Sequence, residues 1–176
     1  MNVFWRSGYE HTSLDLLMRE MGIARQSLYD TFGDKRSLYL KALRQYRDND
    51  HLRLRRLFAS NRSVKDGFAN ILFGISSESR EEHERGCLLL SANMERDAKD
   101  KVITEFLLDN QLKTEAIFTE ALQRAQVSGE VSDKQDPAAL ARFFVATIQG
   151  MRAMAKLNSN RKALEQVAKL ALSIMS

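Results

Sequence analysis

Arg25, Gln26 and Ser27 stand side by side just after the tetrapeptide Met21-Gly22-Ile23-Ala24. A guanidinium fork can pair with a guanine edge, a carboxamide with adenine, and a hydroxyl with either. On a helix these three would fill the first turn, where backbone N–H groups are free and anions are favoured. Thr12 and Ser13 form a hydroxyl pair at a second candidate helix start. Tyr29 follows half a turn beyond Ser27, and Lys35 places a cation at the start of a further helix. The chemistry implied is hydrogen bonding and charge toward a polyanion. Arg25, Gln26 and Ser27 would face base edges, with Thr12, Ser13, Tyr29 and Lys35 on phosphates.

Catalytic constellations do not form. His11, His51 and His83 are scattered without metal-ligand spacing. Cys87 opens an apolar run with no histidine paired to it, so it reads as an inert thiol, with redox sensing as a lesser role. Glu81, Glu82, Glu84 and Glu95 read as a solvated face. No catalytic residue, metal or cofactor is expected, and the chain is not expected to be an enzyme.

The candidate contacts require two short helices joined by a tight turn. Thr12 or Ser13 is a suitable N-cap with Asp15 in the first turn, and Leu14, Leu17, Met18 and Met21 follow helical spacing. Gly22 ends this helix and Ile23 is the inward turn residue. Leu28 and Phe32 face inward from the second helix, leaving Arg25, Gln26 and Ser27 outward. Gly33 closes it, and Asp34 caps a long helix. Upstream, Met1–Ser7 reads as the last two turns of a helix closed by Gly8. The first helix of a three-helix unit is therefore expected to be truncated.

Beyond residue 60 the pattern stays helical. Ser63 and Asp66 cap a helix carrying Val64, Phe68, Ile71, Leu72 and Ile75. SSESREEHER reads as a loop or frayed end, CLLLSANM as apolar, and MERDAKD as a polar break. A long helix from about Val102 to Val127 carries Leu108, Leu112, Phe118, Leu122 and Ala125. Asp136-Pro137 starts another helix, in which Arg142, Gln149, Arg152 and Lys156 occupy one sector and nearly all else is apolar or small. That helix needs cover on two sides. Asn160 caps a last helix with Leu164, Val167, Ala171 and Ile174 along one side. Two such helices suggest a homodimeric four-helix interface, built from Leu140, Phe144, Ile148, Met151, Leu164, Val167, Ala171 and Ile174.

The 176 residues contain one Pro and 8 Gly, too few turn residues for a β-rich fold, so the fold class is all-α. With one cysteine no intrachain disulfide can form, and a reducing cytoplasm is the default location. No apolar run spans a membrane and no signal peptide is evident. The formal charge of +4 is unevenly placed. Residues 1–56 hold 11 Lys+Arg against 7 Asp+Glu, while residues 57–176 hold 16 of each. The whole excess accompanies the paired short helices, as polyanion binding there requires.

TSLDLLMREMGIARQSLYDTFGDKRSLYLKAL resembles the DNA-binding region of the tetracycline-repressor (TetR) family. The marks are the Thr-Ser opening, Gly-Ile at the turn, Leu28-Tyr29, Phe32, and Lys35 followed by Leu38. YDTFGDKRSLY resembles one subgroup, and DPAALARFFVATIQGMRAMAK resembles the dimerisation helix, with Gly150 in place. Met21 departs from the small residue usual before the turn glycine, and Ala24 from the usual Ser. The resemblance implies a helix-turn-helix domain over residues 1–46 and a helical regulatory and dimerisation domain over 47–176. It further implies a homodimeric repressor that binds a palindromic double-stranded DNA operator and releases it on binding a small-molecule effector. Phe68, Leu72, Phe73, Met94, Phe106 and Phe118 are the candidate pocket residues. The alternative is a small-molecule sensor or interaction module without DNA binding.

Overall fold

The computed structural model describes residues 1–60 and 63–175. Among them are ten helices and no strand: α1 (Asn2–Ser7), α2 (Leu14–Met21), α3 (Arg25–Phe32), α4 (Lys35–Ser60), α5 (Val64–Ser77), α6 (Arg80–Arg85), α7 (Leu88–Glu95), α8 (Lys101–Val127), α9 (Pro137–Leu157) and α10 (Arg161–Ser173). They form two compact units. The first is Met1–Asp50 with Cys87–Leu107; the second is His51–Gly86 with Leu108–Ser176. The first unit thus takes in a segment well beyond residue 46.

Helix boundaries follow the caps that the sequence provides. Ser13, Ser63, Asp136 and Asn160 each accept a first-turn backbone N–H through the side chain, satisfying a donor that the helix itself cannot. Gly22 adopts the left-handed conformation, φ 64° and ψ 32°, which ends α2 and turns the chain into α3.

Residues 76–85 depart from expectation. α5 continues to Ser77, and SSESREEHER also contains α6 rather than a loop. The reason is a capping box: the Ser79 hydroxyl accepts the Glu82 N–H, and the Glu82 carboxylate accepts the Ser79 N–H. One side chain of α6 is buried, His83, whose Nε2–H donates to the Ile75 carbonyl at 2.7 Å.

The core of the second unit is aromatic. Phe68 stacks on Phe144 with centroids 3.9 Å apart, and meets Phe58 and Phe118 edge-on at 5.0 and 5.1 Å. Gly67 lies against this group, because a Cβ there would come within 2.6 Å of the Phe58 ring. Gly67→Ala is expected to destabilise the fold by about 1–2 kcal/mol. Overpacking outweighs the gain of about 1 kcal/mol in helix propensity. Urea unfolding checks it, and a more stable variant would contradict the packing.

On α8, Leu108 and Leu112 are exposed; the buried residues are Ile103, Leu107, Ile117, Phe118, Ala121, Leu122 and Ala125. The core of the first unit gathers Val3, Phe4, Leu17, Leu28, Leu38, Tyr39, Leu43, Leu88, Leu89, Ile103 and Leu107, among others. α1 has six residues, and Leu88, Leu89, Ala92, Ile103 and Leu107 from residues 87–107 join its Val3 and Phe4 in this core.

Candidate nucleic-acid interface

The base-reading candidates occupy the N-terminal turn of α3. Ala24 offers no side-chain cap, so the first N–H groups of α3 lack a side-chain acceptor from that position. Arg25, Gln26 and Ser27 are all exposed. Two of them are held by the carboxylates of Asp15 and Asp30. Arg25 Nη2 donates to Asp15 Oδ1 at 2.9 Å, and Gln26 Nε2 donates to Asp30 Oδ1 at 2.8 Å. The second pair was readable as an i, i+4 contact; the first, from α2 to α3, depends on the turn geometry. Both lie at the surface, where such pairs contribute little and separate readily.

The phosphate candidates divide. Ser13 is exposed, and its oxygen accepts the Leu16 N–H at 3.1 Å while its own hydroxyl proton stays available. Tyr29 is exposed on the same helix as Arg25. Lys35 is half-buried with Nζ 4.3 Å from the Tyr9 ring centroid, a cation–π contact that fixes the ammonium at the start of α4. Thr12 requires a correction. It is 0% exposed, and its hydroxyl donates to the Gly8 carbonyl at 2.6 Å. It locks the α1–α2 turn and cannot face a phosphate.

The expected pocket residues do not converge. Phe68, Leu72 and Phe118 are fully buried in the core of the second unit, with Phe73 half-buried against them. Phe106 lies in the other unit, where its ring packs under the Arg47 guanidinium at 4.9 Å. Met94 belongs to that unit too and is 72% exposed. An open surface groove of about 420 Å3 is lined by Glu120, Gln123, Arg124 and Val127, none of them in the expected set.

The expected interface residues also require a correction. Leu140, Phe144, Met151, Leu164 and Ala171 are buried in the chain's own core, which they face instead of an outer surface. Ile148 and Val167 are half-buried, and Ile174 is partly exposed. What α9 and α10 leave uncovered is a different set: Phe143, Met154, Leu157 and Leu170, with the small residues Ala146, Gly150 and Ala153 between them.

Three carboxylates carry a pH dependence. The Ser37 backbone N–H holds Asp34 below the usual carboxylate range, the Arg36 guanidinium does so for Asp100, and the Ser79 backbone N–H for Glu82. A carboxylate whose pKa falls on folding stabilises the fold above its unfolded value of about 4. It ceases to do so as pH drops through its lower folded value. Stability from these groups should therefore hold down to about pH 5 and decline below about pH 4. Thermal melts of the native chain and of Asp34→Asn test this, and the variant should show a shallower acid decline.

An all-helical chain that presents the polar N-terminus of a short second helix after a glycine turn defines a helix-turn-helix protein. The family description "Bacterial regulatory proteins, tetR family" matches residues 1–42, and "Tetracyclin repressor-like, C-terminal domain" matches residues 71–171. The uncharacterised HTH-type transcriptional regulator YezE of Bacillus subtilis (strain 168) is 29% identical over 177 residues, covering 99% of this chain and 91% of that protein. The HTH-type transcriptional repressor ComR of Escherichia coli (strain K12) is 28% identical over 172 residues, covering 96% and 81%. Among solved structures, a cysteine-substituted form of the TetR family regulator CifR, complexed with 26-bp double-strand operator DNA, superposes with a TM-score of 0.86 at 28% identity. The match covers 99% of this chain and 91% of that one. The chain belongs to the TetR family of transcriptional regulators. Among the described residues no helix is long and apolar enough to cross a membrane.

Proposed function

We propose that this regulator is a homodimeric, ligand-responsive repressor of a palindromic operator, within the TetR subgroup marked by YDTFGDKRSLY. The observation that carries the proposal is the exposed trio Arg25, Gln26 and Ser27 on the first turn of α3. A similar chain, CifR, has been solved on operator DNA, and ComR is named a repressor. In this reading Arg25 and Gln26 leave Asp15 and Asp30 for base edges, while Ser13, Tyr29 and Lys35 take phosphates. Residues 1–46 serve DNA and residues 47–176 serve regulation and pairing. The second copy covers Phe143, Met154, Leu157 and Leu170, whose exposure a pairing interface explains. An effector acts by binding one packing of the second unit better than another, and the Phe68, Leu72, Phe73 and Phe118 cluster is where we place it.

A gel shift with the region upstream of the chain's own gene tests the proposal, with a bound band expected. No band there, or with any other duplex, would favour a sensor or interaction module without DNA binding. Binding should also weaken with salt. Lys35 on two protomers alone gives a slope of about −2 in log K against log[salt], roughly tenfold between 50 and 200 mM. A salt-independent affinity would contradict the phosphate contacts.

A further inference from the structure

α2 and α3 are short helices of eight residues each. Leu17 is the one buried side chain of α2 and Leu28 the one of α3. Leu14, Leu16, Met18, Ile23 and Phe32 pack against the same core while partly buried, and polar ties at the ends of the pair add an orientation that non-directional apolar contact does not fix. Such ties run from both ends to one place, the turn between α7 and α8. At the α3–α4 end, Arg36 Nη2 donates to Asp100 Oδ1 at 2.7 Å and Arg36 Nε to Asp100 Oδ2 at 3.1 Å, a two-pronged, partly buried pair. At the α1–α2 end, the Tyr9 N–H donates to Glu95 Oε2 at 3.3 Å. Gly8, at φ 73°, lets the chain approach that carboxylate, which would lie 2.7 Å from a Cβ. Lys35 over the Tyr9 ring links the two ends. Asp100 is itself anchored, because Oδ1 also accepts the Ile103 N–H at 3.1 Å in the first turn of α8.

We propose that Asp100, with Glu95, is a positioning residue for DNA binding: a latch on the α7–α8 turn that grips Arg36 and the Tyr9 backbone and thereby fixes how α3 is presented. That the latch serves DNA rests on the function proposed above. Arg36 is suited to the task because its planar fork fixes an orientation, which a lysine ammonium would not. Asp100 is suited because one carboxylate can cap α8 and receive the guanidinium together.

The test uses the full chain with Asp100→Asn. Asparagine keeps the cap on α8 but loses the charge and the paired acceptor. Two readouts are taken. In hydrogen exchange, amides of residues 14–32 should exchange about tenfold faster while those of α10 are unchanged. Affinity for a duplex selected by the native chain from a random pool should fall about tenfold. Arg36→Lys should show a smaller loss in both. The double variant Arg36→Gln/Asp100→Asn should be no worse than its more damaging single variant, because the two residues act as one unit. Unchanged exchange over residues 14–32 overturns the latch. Faster exchange with unaltered operator affinity overturns its role in DNA binding. Tighter binding of all DNA would mean that Asp100 only withholds Arg36 from phosphates, and also overturns it. If the native chain binds no DNA, the repressor reading fails, and the exchange readout still decides whether the latch exists.

Discussion

Phe68→Ala is expected to lower the unfolding free energy by about 3–5 kcal/mol, the range for a large aromatic removed from a closed core. Phe68 is 0% exposed and touches three other rings, Phe58, Phe118 and Phe144, drawn from α4, α8 and α9. Its loss leaves a void that those rings cannot fill without giving up their edge-on and stacked geometry. Leu108→Ala is the contrasting case. Leu108 looks like a core position by sequence pattern but is exposed, and its substitution should change stability by no more than about 0.5 kcal/mol. Urea unfolding at fixed protomer concentration measures both, since pairing makes stability concentration-dependent. Similar losses for the two variants would contradict the placement of the core.

The second large effect concerns pairing. Phe143→Glu combined with Leu170→Glu should yield a folded monomer. Leu170 is 73% and Phe143 36% exposed in the single chain, and neither lies in the closed core, so helical content should be preserved. In the proposed dimer each chain would bring two carboxylates into an apolar contact, where unpaired charge costs several kcal/mol. Operator affinity should then fall by at least about a hundredfold, because the second half-site is no longer held at high effective concentration. Sedimentation velocity and a gel shift read the two consequences. A variant that stays dimeric would place the interface elsewhere on the chain.

The helix-turn-helix was legible because its boundaries are set by local chemistry. Ser13, Gly22 and Gly33 act within three or four residues of themselves, and the structure shows each at the end expected. The same holds for Ser63, Asp136-Pro137 and Asn160. α6 was equally local, since Ser79 and Glu82 stand in the spacing of a capping box, but its polar character obscured it. The face of α9 that meets the chain's own core was not legible. A helix apolar on two sides offers Leu140, Phe144 and Met151 or Phe143, Met154 and Leu157, and periodicity does not say which set faces inward. The pocket candidates divide between the two units for a related reason. Aromatic and methionine residues were grouped by type, whereas the fold sends Met94 and Phe106 to one unit and Phe68 and Phe118 to the other. Thr12 was assigned by its hydroxyl, and only the turn geometry shows that hydroxyl bonded to Gly8. Arg36 and Asp100 lie 64 residues apart, and nothing in the sequence announces their contact.

The most direct measurement is selection of bound duplexes from a random pool. The proposal predicts enrichment of an inverted repeat whose half-sites lie about one helical turn, roughly 34–36 Å, apart or a multiple of it. It also predicts that Arg25→Ala loses base preference at one position of each half-site, with discrimination there falling by about 1–3 kcal/mol. Failure to enrich any sequence, or enrichment of a single asymmetric site that Arg25→Ala reads unchanged, would contradict it.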